Sequence, residues 1–249
     1  MSRYFLEVAY KGTRYSGFQV QSNTGLTIQA EVEKAFQVLQ KEVVVMTGSS
    51  RTDTGVHALQ NYFHFDYEGV LHPQFIYKIN AILPEDIVAR RVLTVRHDAH
   101  CRFDAVSREY RYFIYRRKDP FLQDRAYYFP YKLEIGLMRE AAELLKGYSD
   151  FTSFSKRNTQ VKTFECEIME SGWDWEGGCL VYRVRANRFL RGMVRGLTAT
   201  MLKLGRGKID INEFEAIIKA KDCTRASFSV PAAGLFLVEV GYPGGYFGL

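Results

Sequence analysis

The chain opens on an aromatic and aliphatic run, residues 4–10, that reads as a strand and stops at the turn residues Lys11-Gly12-Thr13. The period then changes. Over residues 26–41, Ile28, Val32, Ala35, Phe36 and Leu39 recur at spacings of three and four, which predicts an amphipathic helix. Strands at 43–48, 60–67 and 87–95 follow, with a helix over 73–83 that has proline at its start. The second half repeats this order: a strand at 107–115, a helix at 135–145, and an antiparallel pair at 163–173 and 180–186 around Trp175-Glu176-Gly177-Gly178. Helices over 189–204 and 211–220 and a closing strand at 235–242 complete it. The expected fold is therefore α+β, with two ferredoxin-like units of order β-α-β-β-α-β. Their antiparallel sheets would lie side by side with helices on one face and an active cleft between the units. The division is placed near Asp104, giving units 1–104 and 105–249. The loop 118–132 is rich in tyrosine and phenylalanine, which predicts a structured excursion and not a linker.

Composition changes the picture in two places. Four cysteines, Cys101, Cys166, Cys179 and Cys223, include no Cys-x-x-Cys pair, so neither a zinc ribbon nor a dithiol redox motif is expected. With no segment near the roughly 18 uninterrupted apolar residues of a membrane span, the chain reads as a soluble, reduced, cytoplasmic protein. The net charge of +6 is weak evidence by itself, but its distribution is uneven. Between Gly177 and Lys208 there are eight basic residues and no acidic one. Such a run is either a solvated face or a surface for a polyanion.

Candidate chemistry concentrates in Ser49-Ser50-Arg51-Thr52-Asp53-Thr54-Gly55-Val56-His57-Ala58, a polar turn between two apolar segments and hence a loop at a sheet end. Threonines and glycine let the backbone bend sharply, so a carboxylate could be presented there, although an aspartate in such a setting equally serves as an Asx-turn residue. Beyond that local ambiguity, Arg51-Thr52-Asp53-x-Gly55-Val56-His57-Ala58 resembles the signature loop of the pseudouridine synthases, in detail that of the tRNA pseudouridine synthase I (TruA) family. Further stretches carry the resemblance over essentially the whole chain: Asn80-Ala81-Ile82-Leu83-Pro84-Glu85-Asp86-Ile87, Asp150-Phe151-Thr152-Ser153-Phe154, Ala186-Asn187-Arg188-Phe189-Leu190-Arg191-Gly192-Met193-Val194-Arg195 and Ala233-Gly234-Leu235-Phe236-Leu237.

The resemblance implies an isomerase that turns uridine into pseudouridine in the anticodon stem-loop of tRNA, without a cofactor and as a homodimer. It implies Asp53 as the catalytic carboxylate and Arg195 as its partner, a guanidinium that favours the ionised form. Tyr110, on the strand at 107–115, would stack on the uracil and take its C5 proton. Arg51 would support the flipped nucleotide. Arg183, Arg185, Arg188, Phe189 and Arg191 complete the expected RNA-binding set, with Arg188, Arg191 and Arg195 spaced to share one side of the helix over 189–204. His57 stays outside the catalytic list as a packed residue, and Tyr112 is expected in the core. Three departures from the family pattern stand out: Ser50 where glycine is common, which bears on loop geometry, and Phe18 where tryptophan is usual and a short 19–25 loop, which bear on RNA grip.

Other chemistries fit less well. A zinc deaminase needs His-x-Glu and Pro-Cys-x-x-Cys, which are missing. Gly205-Arg206-Gly207-Lys208 lacks the first glycine and the hydroxyl residue of a phosphate-binding loop. His97, His100 and Cys101 have no fourth ligand nearby, and no metal site is expected. The serious alternative is a non-catalytic RNA-binding protein of two RNA-recognition-like units, although the aromatic string of such modules does not occur.

Overall fold

A computed structural model describes residues 1–22, 24–157 and 161–247, and among them nine strands and five α-helices form a mixed α+β chain. Two compact units emerge: Met1–Val106 together with the stretch from Phe236 onward, and Ser107–Leu235. Among the described residues no helix is long and apolar enough to cross a membrane.

In the first unit β1 (Ser2–Tyr10) lies between β3 (His57–Tyr67) and β4 (Ile87–Val95), antiparallel to both, with Phe5 opposite His64 on one side and Leu93 on the other. Helix α1 (Ile28–Gln40) starts at Thr27, whose hydroxyl accepts the Ala30 N–H at 3.2 Å. Its buried stripe Ile28, Val32, Ala35 and Phe36 lies on the sheet side of the amphipathic pattern, and the Phe36 ring meets Phe65 and Tyr67 edge-on at 5.1 and 5.4 Å.

Two elements differ from expectation for identifiable reasons. The strand expected at 43–48 shrinks to β2 (Thr47–Gly48), paired with β3 at Thr47 and His64. Residues 43–46 still alternate outward and inward, but Met46 makes its hydrogen bonds to α1: its N–H donates to Glu33 and its carbonyl accepts from Gln29. Side chains replace the strand partner. The helix expected over 73–83 contracts to α2 (Phe75–Asn80), where the Asn80 side chain both donates to and accepts from the Ala89 backbone at 2.8 Å and so ties the helix end to β4.

The second unit pairs β5 (Ser107–Tyr115) with β8 (Cys179–Ala186), and β8 with β7 (Ile168–Glu176), all antiparallel. The excursion 118–132 returns as β6 (Tyr127–Tyr128), parallel to β5. β7 begins later than expected because the preceding segment bonds elsewhere, Phe164 and Cys166 pairing their backbones with Phe151 and Ser149. Helices α3 (Ile135–Leu144), α4 (Met193–Gly205) and α5 (Ile211–Lys219) follow the sequence pattern, except that α4 starts four residues later than the expected 189. Gly192, at φ +75°, turns the chain into α4, a conformation that side chains disfavour. The last strand, β9 (Leu235–Gly241), runs parallel to β3 with Phe236 opposite His57. It therefore packs with the first unit, whereas the sequence pattern places 105–249 together.

His64 gives this first unit a pH dependence. It lies buried in β3, with Nδ1 3.2 Å from Cys101 Sγ and its ring against Phe5 and His100. Burial first, then the His100 ring and the Arg3 guanidinium, push its pKa from 6.5 down to about 4. The unfolded chain takes up a proton below pH 6.5 that native His64 refuses until about 4, so this contribution is complete above pH 6.5 and is lost as pH falls toward 4. Urea melts at pH 7 and pH 5 should differ by about 1–2 kcal/mol from this group, and His64→Gln should remove that part of the slope.

Candidate active site

Loop 49–56 joins β2 to β3, and its shape comes from a buried polar network beneath it. The amide of Asn61, on β3, donates to the Ser50 carbonyl at 2.9 Å and to the Tyr10 hydroxyl at 3.1 Å, and its oxygen accepts from the Ser49 hydroxyl at 2.7 Å. The Tyr10 hydroxyl reaches Thr52 Oγ1 at 2.7 Å. Every group in this chain is buried, so each hydrogen bond also avoids a desolvation penalty. From the other side, the Gly12 N–H donates to His57 Nδ1 at 3.1 Å, and a Cβ on Gly12 would come within 2.0 Å of the Val56 carbonyl. His57 is thus an internal support, its ring 4.6 Å from Phe236.

The turn itself closes through the Asp53 backbone carbonyl, which accepts the Val56 N–H at 3.1 Å, with Gly55 at φ +78°. That leaves the half-buried Asp53 carboxylate outside the turn's own bonding, unlike an Asx turn. Ser50 needs no special backbone here, since no described non-glycine residue of the loop has positive φ. Phe18, expected to bear on RNA grip, is a core residue: it stacks on Phe63 at 4.6 Å and fills the space where a Cβ on Gly48 would sit. Arg51 is exposed.

Asn61 was not legible as a functional position, because an asparagine in a strand pattern looks like any solvated residue. Asn61→Ala should cost about 2–4 kcal/mol in chemical denaturation, since it strands the Ser50 carbonyl and Ser49 hydroxyl.

In the second unit, Tyr110 is half-buried on β5 and meets the Phe189 ring edge-on at 5.1 Å and 84°. Tyr112, two residues on and on the same face, is fully buried with its hydroxyl donating to the Pro231 carbonyl at 2.7 Å. Arg195 stands in the first turn of α4, half-buried, where its Nε and Nη2 donate to the Val230 carbonyl at 3.0 and 2.7 Å. Two bonds to one oxygen fix the guanidinium plane. Arg188, Phe189 and Arg191 precede α4, so the expected shared helix side does not form: Arg188 is half-buried, while Arg191 is exposed and its carbonyl accepts the Lys156 N–H at 2.9 Å.

Arg183 and Arg185 occupy the opposite face from Tyr110. Both donate to buried Glu109 on the neighbouring strand, at 2.9 and 2.8 Å, and Arg111 adds a third bond at 3.0 Å. Burial pushes the Glu109 carboxyl up, but the hydrogen bonds from Arg185, Arg183 and Arg111 outweigh it and hold the pKa below its ordinary value. Glu170 also approaches both arginines, at 3.3 and 3.6 Å. Part of the basic run is therefore spent on internal pairing. The expected metal-free segment around His100 does gather His100 and Cys101 with His64, their ligand atoms within 4.8 Å of one another. Within it, Cys101 Sγ meets His64 Nδ1 and donates to the Thr47 carbonyl, and His100 Nδ1 accepts the N–H groups of Arg102 and Phe103.

The first unit thus carries a braced aspartate loop, and the second a tyrosine on β5 and an arginine fixed at the start of α4. Comparison with known proteins supplies the class. The family model described as tRNA pseudouridine synthase matches residues 7–104 and 141–243. The tRNA pseudouridine synthase A of Parabacteroides distasonis is 44% identical over 245 residues, 98% of this chain and 97% of that protein. Its counterpart from Porphyromonas gingivalis is 42% identical over 99% of this chain and 100% of its own length, and that from Staphylococcus aureus 37% over 96% and 90%. The chain belongs to the tRNA pseudouridine synthase family.

Proposed function

We propose that this chain isomerises uridine to pseudouridine in the anticodon stem-loop of tRNA, with Asp53, Tyr110 and Arg195 as its catalytic residues. The observation that carries the assignment of Asp53 is its place on a loop braced from beneath, with the carboxylate left out of the turn's own hydrogen bonds. A loop so braced holds a reacting group in position without reorganisation during the reaction. Family membership supplies the reaction class.

The chemistry breaks the N1–C1′ bond, rotates the uracil and joins C5 to C1′. C5 loses a proton and N1 gains one, so the product is an isomer and no redox or group-transfer partner is consumed. Asp53 acts as the nucleophile or base, with Arg195 as its counter-charge. The Tyr110 phenol stacks on the ring and accepts the C5 proton. Arg51, exposed on the same loop, supports the flipped state, and Phe189 buttresses Tyr110. Arg188 and Arg191 are the better placed of the expected phosphate contacts, because Arg183 and Arg185 are engaged with Glu109. A ferredoxin-like architecture for each unit, a homodimer binding one tRNA across both subunits, and a cytoplasmic location complete the reading. A passive two-unit RNA binder is not favoured.

The test is incubation of the purified chain with transcribed tRNA followed by chemical mapping of pseudouridine. Modification confined to the anticodon stem-loop is expected. Unmodified tRNA after long incubation, or modification elsewhere, would overturn the proposal.

A further inference from the structure

Within the first unit, beside the aspartate loop, lies a hollow of about 310 Å³. Its walls include Arg51 from the loop, Val45 and Gly48 from the segment before it, and His100, Arg102 and Phe103 from the chain beyond β4. That volume lies at the lower end of small-ligand sites and admits one nucleotide. No acidic side chain lines it, and two guanidinium groups do. Phe103 is 74% exposed, although the segment that carries it is tightly built. His100 Nδ1 accepts the N–H groups of Arg102 and Phe103 at 3.2 and 3.3 Å, and the Asp104 carboxylate accepts the His100 N–H at 2.9 Å. The His100 ring lies 4.2 Å from that of Phe103, and the Arg102 guanidinium sits 5.8 Å over the same ring. A largely exposed aromatic ring carried on a hydrogen-bonded turn, beside a hollow lined by two guanidinium groups and no carboxylate, is a surface that stacks an unpaired base and takes its phosphate.

We infer that this hollow is a second RNA subsite, which binds an unpaired nucleotide of the substrate other than the target uridine, its base against Phe103 and its phosphate between Arg51 and Arg102. The inference rests on the RNA-modifying reading above and adds to it a binding position outside Asp53, Tyr110 and Arg195. Phe103 and Arg102 contribute differently and can be separated. Stacking is insensitive to salt, whereas a phosphate contact releases counterions and sets the salt slope.

The experiment measures equilibrium binding of transcribed tRNA across a salt series for wild type, Phe103→Ala, Phe103→Tyr and Arg102→Gln, with thermal melts to check folding. Phe103→Ala should weaken binding by about 5- to 150-fold with the salt slope unchanged, and Phe103→Tyr should bind like wild type. Arg102→Gln should weaken binding and reduce the slope by about one. Turnover at saturating tRNA should stay within about two-fold for all of them, since neither side chain meets the reacting atoms. Folded variants that bind within two-fold of wild type at an unchanged slope would overturn the subsite, as would a Phe103→Tyr as weak as Phe103→Ala. A wild-type chain that binds tRNA but forms no pseudouridine would instead overturn the catalytic reading, and the binding comparison would still decide the subsite.

Discussion

Asp53→Asn should reduce pseudouridine formation by about 10³-fold or more while tRNA binding stays within about two-fold of wild type. The substitution keeps size and shape and removes the charge. The loop should survive it, because the turn is closed by the Asp53 backbone carbonyl and braced by Asn61, Tyr10 and Thr52, none of which uses the carboxylate. Urea melts should therefore superimpose on wild type, which separates lost chemistry from lost structure. Single-turnover assays on transcribed tRNA read the effect directly, and near-normal product formation would end the assignment of Asp53.

Tyr110→Phe carries the second large effect. The ring and its edge-on contact with Phe189 remain, and only the hydroxyl is lost. A group that accepts a proton in the reaction contributes about 10²- to 10⁴-fold, so kcat should fall by that factor with KM little changed. Tyr112→Phe, one repeat along the same strand face, is the internal control. It loses a hydroxyl that donates to the Pro231 carbonyl in the core, and should cost about 1 kcal/mol of stability with kcat unaltered. Equal kcat for Tyr110→Phe and wild type would leave Tyr110 a stacking residue only.

The two tyrosines show how far local pattern reaches. Period-two alternation places both on one face of β5, and nothing in that alternation says which is covered. The hydroxyl of buried Tyr112 finds its partner in the Pro231 carbonyl, more than a hundred residues away in sequence. The basic run between Gly177 and Lys208 teaches the same lesson with charge. Counted along the chain it holds no acid, yet Arg183 and Arg185 face Glu109 across the β5–β8 register and Glu170 from β7. Pairing between strands is invisible to a linear count.

What the amino-acid order determined by itself was local: the stripe of α1, the bounds of β4 and β5, the turn at Gly177-Gly178, and the aspartate loop with its glycine. Each depends on residues within one or two turns of one another, so propensity and periodicity suffice. Tertiary structure alone decided that Met46 would bond to helix side chains instead of a strand, that Phe18 would enter the core, and that the last strand would join the first unit. It alone also placed Asn61 beneath the loop. In each of those cases the partner comes from a distant part of the chain, and a buried polar or aromatic group settles wherever that partner satisfies it.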